Sequence, residues 1–183
     1  MGSRYVSVVL GAVMLVCATA FLSTAVGPRM AGATTATVKT CGGGSIALKA
    51  REKRTFVLHN RARADRGLRL LCVDPRLTRA ARSHSREMVE KDYFSHNSYD
   101  GESVGARLGR FGFDGSVHGE NIARGYGAPA GAVPTFERWM TSADHRANIL
   151  DGRFRRVGVG TYTGNYEGIR GYVMYTVDFG SRD

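Results

Sequence analysis

Val157, Val159 and Thr161 alternate along the chain, Gly164-Asn165 opens a turn, and Val173, Tyr175, Val177 and Phe179 alternate again. Successive strand side chains point to opposite faces, so this pattern is a hairpin with one face set aside for burial. An isolated hairpin is marginal in water and needs a covering layer. The chain supplies helices for it, and they come first. Asp74-Pro75 places an N-cap and a helix-starting proline ahead of Leu77, Ala80, Ala81, His84, Met88 and Val89, which share one helical face. An earlier helix from Phe56 ends near Arg66, with Gly67 as its stop. Ser103 caps a short helix that turns Val104, Leu108 and Phe111 inward, and Ala132 to Thr141 forms another with Pro134 in its first turn. His118 to Ala123 reads as a brief strand. Helices early and strands late predict an α+β domain around an antiparallel sheet.

The N-terminus has a different character. Arg4 supplies a basic start, Val6 to Val26 is almost wholly apolar, and Ala31-Gly32-Ala33 is a small-x-small cleavage pattern, so residues 1–33 read as a signal peptide. The apolar run is also long enough for an uncleaved signal-anchor. Thr34 to Ala50, rich in Thr and Gly, reads as a flexible linker, and the globular domain occupies 51–183. Cys17 lies in the leader, which leaves Cys41 and Cys72 as an even pair; in an exported protein that arithmetic predicts one disulfide. Without a C-x-x-C pattern, structural zinc on cysteine is excluded.

The formal charge is +10, and cleavage after Ala33 would remove only Arg4 and Arg29, so the exported part stays basic. The arginines are scattered, not clustered with aromatics, which argues against nucleic acid. A lipid head group, an anionic cell-wall polymer or an extracellular protein suits that charge, as does simple solubility.

Several catalytic signatures are absent: no H-E-x-x-H, no G-x-S-x-G and no phosphate-binding glycine loop ahead of a helix. His118-Gly-Glu120 resembles the start of a zinc deaminase motif, but no P-C-x-x-C follows. His84 sits on an apolar helical stripe and reads as a packed histidine. What remains is a set of polar segments where the periodic patterns break: Tyr93-Phe-Ser-His96, Gly119-Glu-Asn121, and Trp139 to Leu150, which contains Ser142, Asp144, His145 and Asn148. Ser142 and Asp144 read locally as caps of the next helical turn.

In their order and spacing, FSH, GENIA, W-x-x-S-x-x-H-R-x-N-I-L, R-x-G-V-G and the closing DFG resemble the bacterial branch of the CAP superfamily, the cysteine-rich secretory, antigen 5 and pathogenesis-related 1 (SCP) domain. His59-Asn60-x-x-Arg63 fits as well, so the resemblance covers about Phe56 to Gly180. It implies a three-layer α-β-α sandwich with a central antiparallel sheet and a cleft lined by two His and two Glu. His96, Glu120 and His145 match three of these. The second Glu falls on Ser142, a departure that implies a less anionic site. Glu137 cannot replace it, because positions 137 and 142 point well over a quarter-turn apart at about 3.6 residues per turn. His118, on one strand face with Glu120, is a further candidate beside its reading as an incidental exposed histidine.

Two imidazoles and a carboxylate can hold a divalent metal such as zinc on His96, His145 and Glu120, or form a polar network without one. Three functions follow from the resemblance and these residues: a non-enzymatic extracellular binding module, a hydrolase using metal-bound water or Ser142 activated by His145, and a purely structural domain. The absence of a complete catalytic unit places the binding module first.

Overall fold

The computed structural model describes residues 1–2 and 35–181. The chain divides into two compact units, Met1–Ala31 and Gly32–Asp183, and every element described below belongs to the second. The leader expected over 1–33 lies outside the described residues except for Met1 and Gly2. No helix among the described residues is long and apolar enough to cross a membrane.

The stretch 34–50, read from its composition as a flexible linker, is instead built structure from Thr35 onward. Strand β1 (Thr35–Lys39) pairs antiparallel with β2 (Ser45–Lys49), and Gly43, at φ 82°, turns between them. Small residues concealed the alternation that buries Leu48. Cys41 and Cys72 form the expected disulfide with Cα atoms 5.1 Å apart, and Thr40 bridges Val73 beside it. The hairpin is thereby fastened to the domain.

The order continues with α1 (Ala50–Ala64), β3 (Cys72–Val73), α2 (Pro75–Glu90), α3 (Val104–Arg110), β4 (Val117–Gly125), a single 3-10 turn, α4 (Ala132–Thr141), α5 (Ala143–Leu150), β5 (Arg156–Tyr166) and β6 (Ile169–Ser181). Asp74 and Ser103 cap α2 and α3 as their positions predicted. The main sheet runs β3-β5-β6-β4, and its three long strands are antiparallel. The two-residue β3 adds a parallel pairing to β5, a non-local contact that no periodicity reveals.

Alternation along β6 builds two cores and hence three layers. Val173, Tyr175, Val177 and Phe179 join Val157 and Val159 of β5 against α1, α4 and α5 through Ala62, Trp139 and Ile149. Met174 faces α2 with Met88, Val89 and Ile122, while Leu77, Ala80, Leu108 and Phe113 close the α2–α3 end. Gly158 and Gly160 explain R-x-G-V-G: a Cβ there would lie 2.1 Å from Leu77 C and 2.2 Å from Ala81 C. Helix α2 therefore rests with its backbone directly on β5.

The H-N-x-x-R segment is scaffolding. His59 is wholly buried, with its Nδ1 2.8 Å from Thr55 O and its ring edge-on to Phe136 and Trp139. Asn60 donates to Leu71 O and accepts from Leu71 N. The buried Arg63 guanidinium donates to the carbonyls of Arg69, Ile149, Asp151 and Phe154. A cation there satisfies the orphan acceptors at the end of α5 and favours its dipole.

Candidate functional site

Strand β4 lies at the edge of the sheet, and its neighbours Glu120 and Asn121 point to opposite faces. Glu120 faces the α2–α3 layer. Its side chain is 1% exposed, and both oxygens are engaged: Oε1 accepts from His96 Nδ1 at 2.7 Å, and Oε2 accepts from Arg107 Nη2 at 2.5 Å. The His96 side chain remains 53% exposed. Because a carboxylate oxygen accepts, Nδ1 of His96 carries the proton, and Nε2 lies at the opposite edge of the ring. Arg107 also donates from Nη1 to His96 O and Ser98 Oγ. One buried arginine thus fixes both the carboxylate and the loop that bears the histidine.

On the other face, Asn121 donates to His145 O at 3.0 Å, and Asn148 donates to Asn121 Oδ1 at 2.9 Å and to Glu120 O at 3.1 Å. These three bonds lace α5 onto β4. The glycine of G-E-N permits the approach, since a Cβ on Gly119 would meet Asn148 Oδ1 at 3.1 Å and Phe154 Cζ at 2.9 Å. His145 Nδ1 lies 2.7 Å from Ser142 Oγ. Ser142 occupies the N-cap position of α5, but its side chain makes no capping bond to the backbone; the histidine ring takes the hydroxyl instead. Asp144 makes no cap either. It is an acidic residue in the first turn of α5, where it complements the helix dipole.

Burial lowers the His145 pKa, the His96 ring adds to that effect, and Asp144 opposes it. His145 is therefore neutral at pH 7. Beneath the site, Asp178 of β6 pairs in register with Glu120 and is wholly buried, with no hydrogen-bond partner for either oxygen. Burial, then the adjacent Glu120 charge, pushes its carboxyl well above the usual range, while the Arg107 charge opposes this.

Of the residues singled out from sequence, His96 and Glu120 share a hydrogen bond, as do Ser142 and His145, and Asn121 and Asn148 tie the two pairs together. His118 does share a strand face with Glu120, and its ring lies against Gly105, 3.0 Å from where a Cβ would be. His84 is 1% exposed with Nε2 2.9 Å from Ser95 O, a packed histidine as its apolar stripe implied. Glu137 is exposed beside Phe136 and Met140, next to Leu58 and Arg61 of α1. Arg107 and Asp178 escaped the sequence reading. Arg107 had a signal: it interrupts the inward face of Val104, Leu108 and Phe111 at helical spacing.

The donor set does not fit a three-residue metal centre. Arg107 and His96 already occupy both oxygens of Glu120, which leaves only the Nε2 edges of two histidines, short of the three protein ligands of a catalytic zinc. Among the described residues, no group of three or more His, Cys, Asp or Glu side chains is placed to hold a metal ion.

Comparison with known proteins bears on the family and the fold. Residues 56–179 match the cysteine-rich secretory protein family, CAP. The chain is 38% identical over 113 residues to the uncharacterized protein YkwD of Bacillus subtilis, covering 62% of this chain and 43% of that one. A crystal structure of an extracellular SCP-domain protein from Bacillus anthracis superposes with TM-score 0.64 at 32% identity, covering 73% of this chain and 40% of that one. An outer surface protein of Borrelia burgdorferi, at 16% identity and TM-score 0.62 over 82% of this chain and all of its own, shares the fold alone. The chain spans less than half the length of the two Bacillus proteins.

Proposed function

The chain belongs to the cysteine-rich secretory protein (CAP) family, and on that premise we propose that it is a secreted, non-enzymatic binding module whose cleft holds an anionic, hydroxyl-bearing cell-wall polymer. The observation that carries this reading is the engagement of Glu120. A carboxylate tied to both Arg107 and His96 is not free to act as a general base or a metal ligand, so it serves to orient an imidazole. His96 and His145, each engaged through Nδ1, then serve as hydrogen-bonding groups for the ligand, and the Glu120 charge that would repel a polyanion is already paired with Arg107. The basic charge, +10 over the full chain and still positive without Arg4 and Arg29, draws such a polymer toward the protein. A lipid head group and an extracellular protein are the other partners the basic surface suits.

Calorimetric titration with poly(glycerol phosphate) tests this. Binding is expected, weakening as salt is raised and lost in His96→Ala with His145→Ala; equal binding by that variant overturns the reading.

One contact favours a second function. Ser142 Oγ and the neutral His145 stand 2.7 Å apart, the spacing of a hydroxyl and its general base, which suits a hydrolase. Turnover of casein or muropeptides that vanishes in Ser142→Ala would establish this activity in place of the binding role.

A further inference from the structure

A row of rings and one guanidinium crosses the tip of the β5–β6 hairpin and ends in the loop that carries His96. Tyr126 follows β4 and lies 5.9 Å from Tyr172, centroid to centroid; Tyr172 lies 4.9 Å from Tyr166. The Arg124 guanidinium lies 5.2 Å from the Tyr166 ring and 5.0 Å from that of Phe94. Two residues beyond Phe94 is His96. The row is anchored from below and open above: Tyr166 is 1% exposed, whereas Tyr126 is 59% and Phe94 39% exposed.

We propose that this row is a docking face for a linear glycan, with pyranose rings stacked on Tyr126 and Phe94 and hydroxyl groups taken by Arg124. Three features select a sugar over other partners. The two exposed rings, Tyr126 and Phe94, stand at opposite ends of the row, with the Arg124 guanidinium between Phe94 and the tyrosines, whereas a protein or lipid partner calls for a broad exposed apolar area, and Ile169 is the one large aliphatic side chain exposed near the hairpin tip among the described residues. A pyranose has apolar C–H faces and a rim of hydroxyls, which matches a tyrosine or phenylalanine face beside a forked donor. The donor is also preorganised. Arg124 sits between two rings, donates to Tyr166 Oη and lies 3.5 Å from Glu167 Oε1, so little side-chain freedom is lost when a ligand arrives.

The inference rests on the reading of the domain as an extracellular binding module but not on its imidazoles. The full chain is titrated calorimetrically with the N-acetylglucosamine hexamer, and its association with phosphatidylglycerol vesicles is measured in parallel. The hexamer is expected to bind, and Phe94→Ala and Tyr126→Ala are each expected to weaken it about tenfold. Arg124→Lys, which keeps the charge and loses the fork, should weaken it as well, and Arg110→Ala should not. Both rings are exposed, so an unchanged far-ultraviolet circular dichroism spectrum and melting temperature certify the fold. No binding of the hexamer, binding indifferent to Phe94 and Tyr126, or vesicle association that depends on those rings overturns the proposal. Binding lost in the ring variants but kept in His96→Ala with His145→Ala supports the ring face while the cleft reading fails. The reverse pattern overturns the ring face and leaves the cleft.

Discussion

Arg107 and Glu120 form an ion pair in which each side chain is 1% exposed, with Nη2 and Oε2 2.5 Å apart. Removing one partner leaves an uncompensated buried charge, which costs about 3–5 kcal/mol. Arg107→Leu and Glu120→Leu should each fall in that range. The double variant should lose less than the sum, because neither charge is left stranded. Urea unfolding of the four proteins gives the coupling energy. Additive losses would mean that the pair is not coupled.

His59 supplies a pH dependence. Its pKa is lowered from 6.5 to about 4, first by burial, with the Arg63 charge contributing, against the Thr55 hydrogen bond. The native state keeps the ring neutral while the unfolded chain takes up a proton below pH 6.5. Stability should therefore be fully present above that pH and fall as pH drops toward 4, by about 3 kcal/mol in all. Subtracting the curve of His59→Phe isolates this contribution; parallel curves would refute it.

Gly158 and Gly168 differ in kind although both are glycines in the hairpin region. Gly158→Ala drives a methyl into the α2 backbone, 2.1 Å from Leu77 C, and should cost more than about 4 kcal/mol. Gly168→Ala meets no neighbouring atom within 4 Å but sits at φ 80°, and should cost about 1–2 kcal/mol. Thermal melts rank the two; a reversed order would contradict the direct seating of α2 on β5.

The Cys41–Cys72 bridge closes a sequence separation of 31 residues, for which loop entropy predicts about 3–4 kcal/mol. Cys41→Ser with Cys72→Ser should lose that much in chemical denaturation, and the wild type should fall to the same value when reduced. No change on reduction would show that the N-terminal hairpin holds without it.

The fold was legible wherever periodicity and capping agree. Asp74-Pro75, Ser103 and the alternation of Val173 to Phe179 name their elements without help from the rest of the chain. The β1–β2 hairpin was not, because Thr, Ala and Gly give a strand little hydrophobic contrast. The parallel pairing of β3 with β5 depends on residues more than 80 positions apart, beyond any local pattern. At the site, the resemblance pointed to His96, Glu120, Ser142 and His145, while their bonding partners came only with three-dimensional register. Asp178 reads as one letter of D-F-G until strand pairing sets it opposite Glu120. The local cap reading of Ser142 named the right position but not the bond, because a histidine one turn later takes the serine hydroxyl, and Asp144 lies inside the first turn.

The lacing of α5 onto β4 has an evolutionary corollary. Asn121, Asn148 and Arg63 hold that helix through backbone carbonyls and one another, and none of their bonds touches the side chain at position 142. The cradle and its cargo chemistry are thus separable: residue 142 can be exchanged without rebuilding the frame that presents it. A lineage, or a designer, can retune the cleft toward acidity by a single codon change while the backbone at His145 keeps its place.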